Sequence, residues 1–306
     1  MRHFLSLADH TQDEINHLLD LAIDLKSSWR KGGNEPLLAK KVLAMVFQKP
    51  SLRTRVSFDM AMRHLGGDAL YLSPAEIGLG KRESIADVSR VLSGYVNIIM
   101  ARVFEHEHIL QLAKYATVPV INGLSDFNHP CQAMADVLTI REHFGQLRGL
   151  RVTFIGDGNN VAVSLLFACA KLGMHFTLSA PEGYQISKEI LTQAEDFASK
   201  SGSSIRTVLD PQEGIEDAQV VYTDTWVSMG QEEETKKRLQ IFPPYQVNDK
   251  LLAGADPGCI VLHCLPAHRG EEITDSVADG KHSALFQQAE NRMHAQKAIL
   301  VHLLSD

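Results

Sequence analysis

With 306 residues, the chain is long enough for two domains of ordinary size, each with its own hydrophobic core. A composition of 44% hydrophobic and 22% charged residues is typical of folded globular proteins and argues against disorder. The net charge of −7 argues against nucleic acid or an anionic membrane as a partner, because both attract strongly basic surfaces.

The N-terminus lacks a long apolar segment, and no run of about 18 apolar residues occurs, so we expect a cytoplasmic protein. The cysteines are few and irregularly spaced, which predicts reduced thiols rather than a disulfide framework. They are Cys131, Cys169, Cys259 and Cys264.

The first half of the chain alternates short apolar runs with segments of helical periodicity. Thr11 and Glu14 have the spacing of a capping box at the start of a first helix. The nearly continuous apolar run 40–48 predicts a strand buried on both faces, and a helix follows from Thr54 to Leu65. The continued alternation of strand and helix patterns predicts an α/β domain.

A polar, glycine-bearing break at 145–150 precedes a second region of the same kind. This region opens with a strand and turn at 151–160, followed by a helix from Val161 to Leu172. The sequence therefore predicts an α/β fold with two doubly wound parallel-sheet domains joined by interdomain helices. The expected domains are residues 1–147 and residues 148–289, with a C-terminal helix at about 290–306 that packs back onto the first.

The segment 49–58 combines positive charge with hydroxyl groups directly after the first predicted strand. Ser51 and Thr54 offer hydroxyls, and Arg53 and Arg55 offer guanidinium groups beside the amides of the next helix. This combination predicts a phosphate site, and the alternative is a solvated loop with surface arginines. Residue types alone assign no separate role to Arg55 or to the lysine that opens the segment.

Further hydrogen-bond donors follow two later strands. Arg102 ends an apolar run at the predicted carboxyl edge of the sheet, where open α/β folds bind ligands. His129 and Gln132 stand where the next helix should begin, so their side chains can face the same ligand. The alternative for His129 is a helix-capping role.

Six segments, in this order, resemble the ornithine carbamoyltransferases. The resemblance covers nearly the whole chain, and the last two segments separate the ornithine enzymes from the related aspartate carbamoyltransferases. The segments are SLRTR (51–55), ARVF (101–104), HPCQ (129–132), GDGNN (156–160), DTWVSMGQE (224–232) and HCLPAHRGEEI (263–273).

This resemblance implies a first domain that binds carbamoyl phosphate and a second that binds L-ornithine. We expect neither a cofactor nor a metal. It also implies a homotrimer, or a multiple of trimers, with active sites at subunit interfaces. The implied carbamoyl-phosphate positions are Ser51, Leu52, Arg53, Thr54, Arg102, His129, Pro130, Cys131, Gln132, Arg292 and the backbone at Cys264 and Leu265. The implied ornithine positions are Asn160, Asp224, Ser228 and Met229, and the implied catalytic residues are Arg102, His129, Cys264 and Asp224.

These implied roles agree with the chemistry of carbamoyl transfer. Negative charge develops on the carbonyl oxygen, and Thr54, Arg102 and His129 are donors that can stabilise it. Asp224 suits the α-ammonium of ornithine. The δ-amine must lose a proton to attack, and either Cys264 or the departing phosphate can assist that step.

Two other interpretations of the motifs fit the residue spacing less well. Cys259, His263, Cys264 and His268 are zinc-type ligands within one short segment, but an extended strand turns Cys264 away from the first two. The turn after residue 155 resembles a dinucleotide fingerprint, although Val161 replaces its third glycine.

The chain departs from many members of the family at two positions. Leu52 stands where many have a threonine, and Gly78 lies in a loop where some have a glutamine. We expect synthesis of citrulline from carbamoyl phosphate and ornithine, in arginine biosynthesis. The alternatives are a carbamoyltransferase for another amine, such as putrescine or an N-acylated ornithine, and a noncatalytic anion-binding module.

Overall fold

The computed structural model describes residues 2–80, 82–227 and 232–305. These residues form two compact units. The first contains residues up to Leu138 together with those from Glu290 onward, and the second contains Thr139–Ala289. Within the described residues, no helix combines the length and apolar character needed to cross a membrane.

The described part of the first unit contains a four-stranded sheet in the order β2-β1-β3-β4, with every neighbouring pair parallel. The central strands are almost wholly buried, which explains their continuous apolar sequences. The register pairs Phe47 with Arg102, so β1 and β3 end at the same edge. The strands are β1 (Val42–Phe47), β2 (Asp68–Leu72), β3 (Ile98–Arg102) and β4 (Val120–Leu124).

Helix ends in this unit follow local sequence signals. The capping box of Thr11 and Glu14 is confirmed. The helix predicted from Thr54 begins at Leu52, because the Ser51 side chain caps it. The helices are α1 (Gln12–Arg30), α2 (Leu52–His64), α3 (Pro74–Ile77), α4 (Ile85–Ser93), α5 (His106–Tyr115) and α6 (Pro130–Phe144), with a 3-10 turn at Leu7–Asp9.

The described part of the second unit contains a five-stranded parallel sheet in the order β7-β6-β5-β8-β9. The predicted α/β class with two parallel sheets is therefore confirmed. The strands are β5 (Arg151–Ile155), β6 (His175–Ser179), β7 (Ile205–Val208), β8 (Val220–Thr223) and β9 (Ile260–His263).

The remaining helices surround or follow these strands. The helix predicted from Val161 begins one residue earlier, where Asn159 caps it. Two helices, α6 and the last helix, include the points where the chain changes unit. The helices are α7 (Asn160–Leu172), α8 (Lys188–Ser201), α9 (Pro211–Ile215), α10 (Thr235–Ile241), α11 (Asp249–Leu252), α12 (Asp275–Ala278) and α13 (Leu285–Leu304), with 3-10 turns at Glu232–Glu234 and Pro243–Tyr245.

Basic side chains of α1 and α13 are buried inside the first unit. Lys26 Nζ donates to Asn291 Oδ1 at 2.6 Å, and Lys297 Nζ donates to Asn34 Oδ1 at 2.7 Å. Burial lowers the pKa of Lys297 to about 8. The pKa of His294 is lowered to about 4, first by burial and then by the two lysines, against the opposing effect of Glu290.

We expect the free energy of unfolding to fall as the pH drops below 6.5, and His294 to carry part of that loss. Between pH 6.5 and pH 4 the unfolded chain protonates this ring while the folded chain resists, so acid favours unfolding. From pH 7.5 to 5, the loss in the wild type should exceed that in His294→Gln by about 2 kcal/mol.

Urea titrations at both pH values measure this difference. The exposed His143→Gln variant serves as the control and should keep the wild-type pH dependence. Equal pH dependence in the wild type and His294→Gln would contradict the assignment.

Candidate active site

The turn after β1 presents its hydroxyl groups at the start of α2. Ser51 has an extended backbone, and its Oγ accepts a hydrogen bond from the Thr54 amide at 3.4 Å. The same hydroxyl donates to Thr54 Oγ1 at 3.1 Å. The N-terminal amides of α2 and two hydroxyl groups therefore lie together, as an anion site requires.

Two arginines distant in sequence converge on the Thr54 hydroxyl. Arg102 Nη1 lies 3.5 Å from Thr54 Oγ1, and Arg292 Nη2 lies 3.0 Å from it. All three side chains are buried. Two guanidinium groups that share one buried oxygen repel each other, so a bound anion would stabilise the arrangement.

His129 and Lys49 complete this basic cluster. The pKa of His129 lies well below its ordinary value, first because the ring is buried and then because Arg292, Arg102 and Lys49 are near. The ring is therefore neutral at neutral pH and can donate a hydrogen bond without carrying a charge. Lys49 is buried and lies over the Phe104 ring, with Nζ 4.9 Å from its centroid.

The rest of the HPCQ segment lies at the start of α6, which begins at Pro130. Gln132 Nε2 donates to Asp136 Oδ1 at 2.8 Å, so both side chains are fixed within the helix. Cys131 Sγ donates to the Asn122 carbonyl at 3.4 Å, and burial raises the pKa of its thiol to about 12. Cys131 is therefore an inert thiol whose contribution to a ligand must come from its backbone.

The other residues of the turn differ in exposure. Arg53 is half-buried, whereas Leu52 exposes 75% of its surface. The leucine side chain is therefore not part of the basic cluster. Arg55 packs over the Tyr71 ring at 4.1 Å, a role that residue type did not suggest. Gly78 has φ +51 and ends α3 in the left-handed region, which favours glycine.

A second group of candidate functional side chains lies where β8 and β9 end. The register pairs Thr223 with His263, so the next residues, Asp224 and Cys264, leave the same edge. Cys264 Sγ donates to Asp224 Oδ1 at 3.0 Å, and Asn159 Nδ2 donates to Asp224 Oδ2 at 2.8 Å. Both oxygens of this buried carboxylate are thus held in place.

Asn159, directly before the predicted ornithine-binding residue Asn160, was not among the residues predicted from the sequence. Asn159 Oδ1 caps α7 by accepting from the amides of Val161 and Ala162, at 3.0 and 3.1 Å, while its amide group reaches Asp224. Asn160 is the half-buried first residue of α7. An asparagine directly before a helix was the available signal, because asparagine is a preferred capping residue.

The segment after Asp224 is anchored by a buried ion pair. Arg238 Nη1 lies 2.6 Å from Asp157 Oδ2 and donates to the Trp226 carbonyl at 2.8 Å. This links the GDGNN turn to the DTW segment. The predicted ornithine-binding residues Ser228 and Met229 lie outside the described residues.

The four zinc-type residues do not converge within the described parts of the chain. Potential ligand atoms of Asp224, His263 and Cys264 lie within 4.8 Å of one another, whereas His268 groups with Glu271 and Glu272. Cys259 instead faces His282, with 3.7 Å between Sγ and Nδ1. The four residues considered as zinc ligands from the sequence therefore do not form one site.

Comparison with known proteins assigns both parts of the chain to domains of one family. Residues 2–142 match the model of the carbamoyl-P binding domain of aspartate/ornithine carbamoyltransferases, and residues 148–303 match that of the Asp/Orn binding domain. The chain belongs to the aspartate/ornithine carbamoyltransferase family. The resemblance inferred from the six sequence segments is thereby confirmed.

Individual members of the family are similar to this chain over nearly its whole length. An ornithine carbamoyltransferase from Anoxybacillus flavithermus is 53% identical, covering 99% of this chain and 96% of that protein. One from Pyrococcus furiosus, named anabolic, is also 53% identical, covering 98% of this chain and 95% of that protein.

Solved structures of family members have the same fold. The P. furiosus ornithine carbamoyltransferase structure superposes with a TM-score of 0.96 at 52% identity, covering 99% of this chain and 97% of that one. An anabolic ornithine carbamoyltransferase from Campylobacter jejuni gives 0.93 at 40% identity, covering 99% of each chain.

Proposed function

We propose that the protein is an ornithine carbamoyltransferase. The δ-amine of L-ornithine attacks the carbonyl carbon of carbamoyl phosphate, forming a C–N bond as the C–O bond to phosphate breaks. The phosphate leaves with the bonding electron pair, the proton lost by the amine nitrogen ends on the departing phosphate, and L-citrulline is formed. The family relatives described above carry this name.

The convergence of Arg102 and Arg292 on the Thr54 hydroxyl is the observation that carries this proposal. Charge-assisted hydrogen bonds from guanidinium groups match the geometry of a phosphate. In this proposal the arginines bind the phosphate, which prepares it to leave. The neutral His129 donates a hydrogen bond to the carbamoyl oxygen, where negative charge develops.

Asp224 and Cys264 support ornithine as the acceptor. The Asp224 carboxylate pairs with the α-ammonium group, and this pairing favours an acceptor with a free α-amine over an N-acylated ornithine. Cys264 donates its thiol proton to Asp224, so the sulfur lone pairs are directed to accept a hydrogen bond from the amine. Asn160, Ser228 and Met229 are proposed to contact ornithine as the family resemblance implies.

We place this reaction in arginine biosynthesis, because a relative of 53% identity is named anabolic. A homotrimer, or a multiple of trimers, is proposed on the family resemblance. Apolar side chains exposed along α2 and on β2, an edge strand, support such self-association: Val56, Met60 and Leu70. Cytoplasmic location stays a prediction.

Purified protein should form citrulline from carbamoyl phosphate and L-ornithine. N-acetylornithine, putrescine and aspartate, each tested at the same concentration, should react far more slowly, since each lacks a group that the ornithine positions require. Colorimetric detection of the ureido product covers all four acceptors. A faster reaction with putrescine or acetylornithine would support the alternative amine, and no product with any acceptor would support the noncatalytic module.

A further inference from the structure

A chain of buried hydrogen bonds holds the segment that follows β9. The side chains of His263 and Glu272 are fully buried, and His263 Nε2 lies 3.0 Å from Glu272 Oε1. The backbone amide of His268 donates to the same carboxylate oxygen at 2.6 Å. One oxygen of Glu272 therefore holds both the ring of His263, at the start of this segment, and the backbone of His268.

The second ring nitrogen of His263 determines where the proton lies. The backbone amide of Leu265 donates to His263 Nδ1 at 2.9 Å. A ring nitrogen that accepts a hydrogen bond carries no proton, so the proton lies on Nε2 and is donated to Glu272. The carboxylate thus selects one tautomer, as carboxylates do for histidines that bind metals.

The peptide held by this tautomer has an unusual backbone conformation. Leu265 has φ +56, in the left-handed region, where the side chain of an L-residue crowds its own backbone. The opposite tautomer would turn an N–H of His263 toward the Leu265 amide, so two donors would face each other. Without the carboxylate of Glu272, neither the Nε2–H tautomer of His263 nor the position of the Leu265 peptide would be fixed.

We propose that Glu272 is a positioning residue, which holds His263 in its Nε2–H tautomer and, through it, holds the Leu265 peptide for binding of the carbamoyl group. This inference rests on the proposed function and on the family resemblance, which implies that the Cys264–Leu265 backbone contacts carbamoyl phosphate. Glu272 itself is fully buried and contacts the ring and the loop backbone.

The test compares two substitutions at one position. Glu272→Gln retains one side-chain oxygen, which can accept the hydrogen bonds from His263 and from the His268 amide. Its kcat/KM should therefore stay within about threefold of the wild type. Glu272→Leu removes the acceptor, and kcat/KM per folded molecule should fall about 10- to 100-fold, the range seen when a histidine loses its orienting partner. Glu271→Leu, at the neighbouring half-exposed acid, is the control and should leave kcat/KM unchanged.

A spectroscopic readout separates positioning from a loss of folding. Two-bond ¹H–¹⁵N couplings in ¹⁵N-histidine protein report the tautomer, and His263→Asn identifies the signal. We expect Nε2–H in the wild type and in Glu272→Gln, and a mixture or Nδ1–H in Glu272→Leu.

Three results would overturn the inference: an Nδ1–H ring in the wild type, an unchanged tautomer in Glu272→Leu, or wild-type kcat/KM in that variant. The wild-type spectrum is independent of turnover, and it remains decisive if Glu272→Leu does not fold. A wild type that makes no citrulline would instead refute the proposed function, so the two failures are distinguishable.

Discussion

Replacement of Arg102 by leucine is expected to lower kcat/KM for carbamoyl phosphate by about a thousandfold while the protein stays folded. One preorganised donor at developing negative charge contributes about 3–4 kcal/mol to transition-state stabilisation. Arg102 lies at the end of β3 and shares the Thr54 hydroxyl with Arg292, so its charge faces the proposed phosphate site. Steady-state kinetics with varied carbamoyl phosphate measures the effect.

The fold should tolerate Arg102→Leu. The substitution removes one of several neighbouring positive charges, so the repulsion among the remaining basic side chains becomes smaller. Loss of Arg102 also removes one of the charges that lower the pKa of His129. Arg63→Leu is the control, since that exposed arginine on α2 pairs with Asp59 and should leave turnover unchanged. Near-normal turnover of Arg102→Leu, with circular dichroism like that of the wild type, would refute the placement of Arg102 at the phosphate.

Asp224→Asn is expected to lower kcat/KM for ornithine by more than a hundredfold. The variant loses the charge that pairs with the α-ammonium group, and removal of one partner from a buried charged pair costs about 3 kcal/mol. Cys264 and Asn159 donate to different oxygens of Asp224, and the variant replaces one of these oxygens with an NH2 donor, so one of the two hydrogen bonds is lost. Kinetics with varied ornithine at saturating carbamoyl phosphate measures the loss.

The inhibition constant of inorganic phosphate should be unchanged in Asp224→Asn, because phosphate is expected to bind the basic residues around Thr54. Asp196→Asn, at an exposed aspartate of the same unit that pairs with Lys200, is the matched control. A similar loss in phosphate affinity, or an unchanged KM and kcat for ornithine, would contradict the role assigned to Asp224.

Local sequence patterns predicted most of the secondary structure, because the signals act between near neighbours. Continuous apolar runs became buried parallel strands, and the capping box at Thr11 formed as expected. Helix starts were predicted less well than helix existence: the helices capped by Ser51 and Asn159 begin two residues and one residue before their predicted starts. A capping side chain sets the first residue of a helix through a hydrogen bond that periodicity does not reveal.

Sequence patterns also identified the candidate residues of the phosphate turn and the family to which the chain belongs. Residue type alone could not assign a role to Arg55, which packs on Tyr71, or to Lys49, which lies buried over Phe104. Whether a basic side chain binds a ligand or packs on a ring depends on neighbours from other strands and helices.

The sequence by itself determined the α/β class, the strands and the segments that carry the chemistry, since these depend on short-range periodicity and motif order. Only the tertiary structure brought Arg292 to within 3.0 Å of Thr54 across 238 residues, and Glu272 to the ring of His263. Such contacts depend on parallel strands whose ends meet at one edge and on a terminal helix that packs against the first unit. The number of residues between two positions does not determine how far apart their side chains lie in the fold. The packing of strands and helices determines that distance.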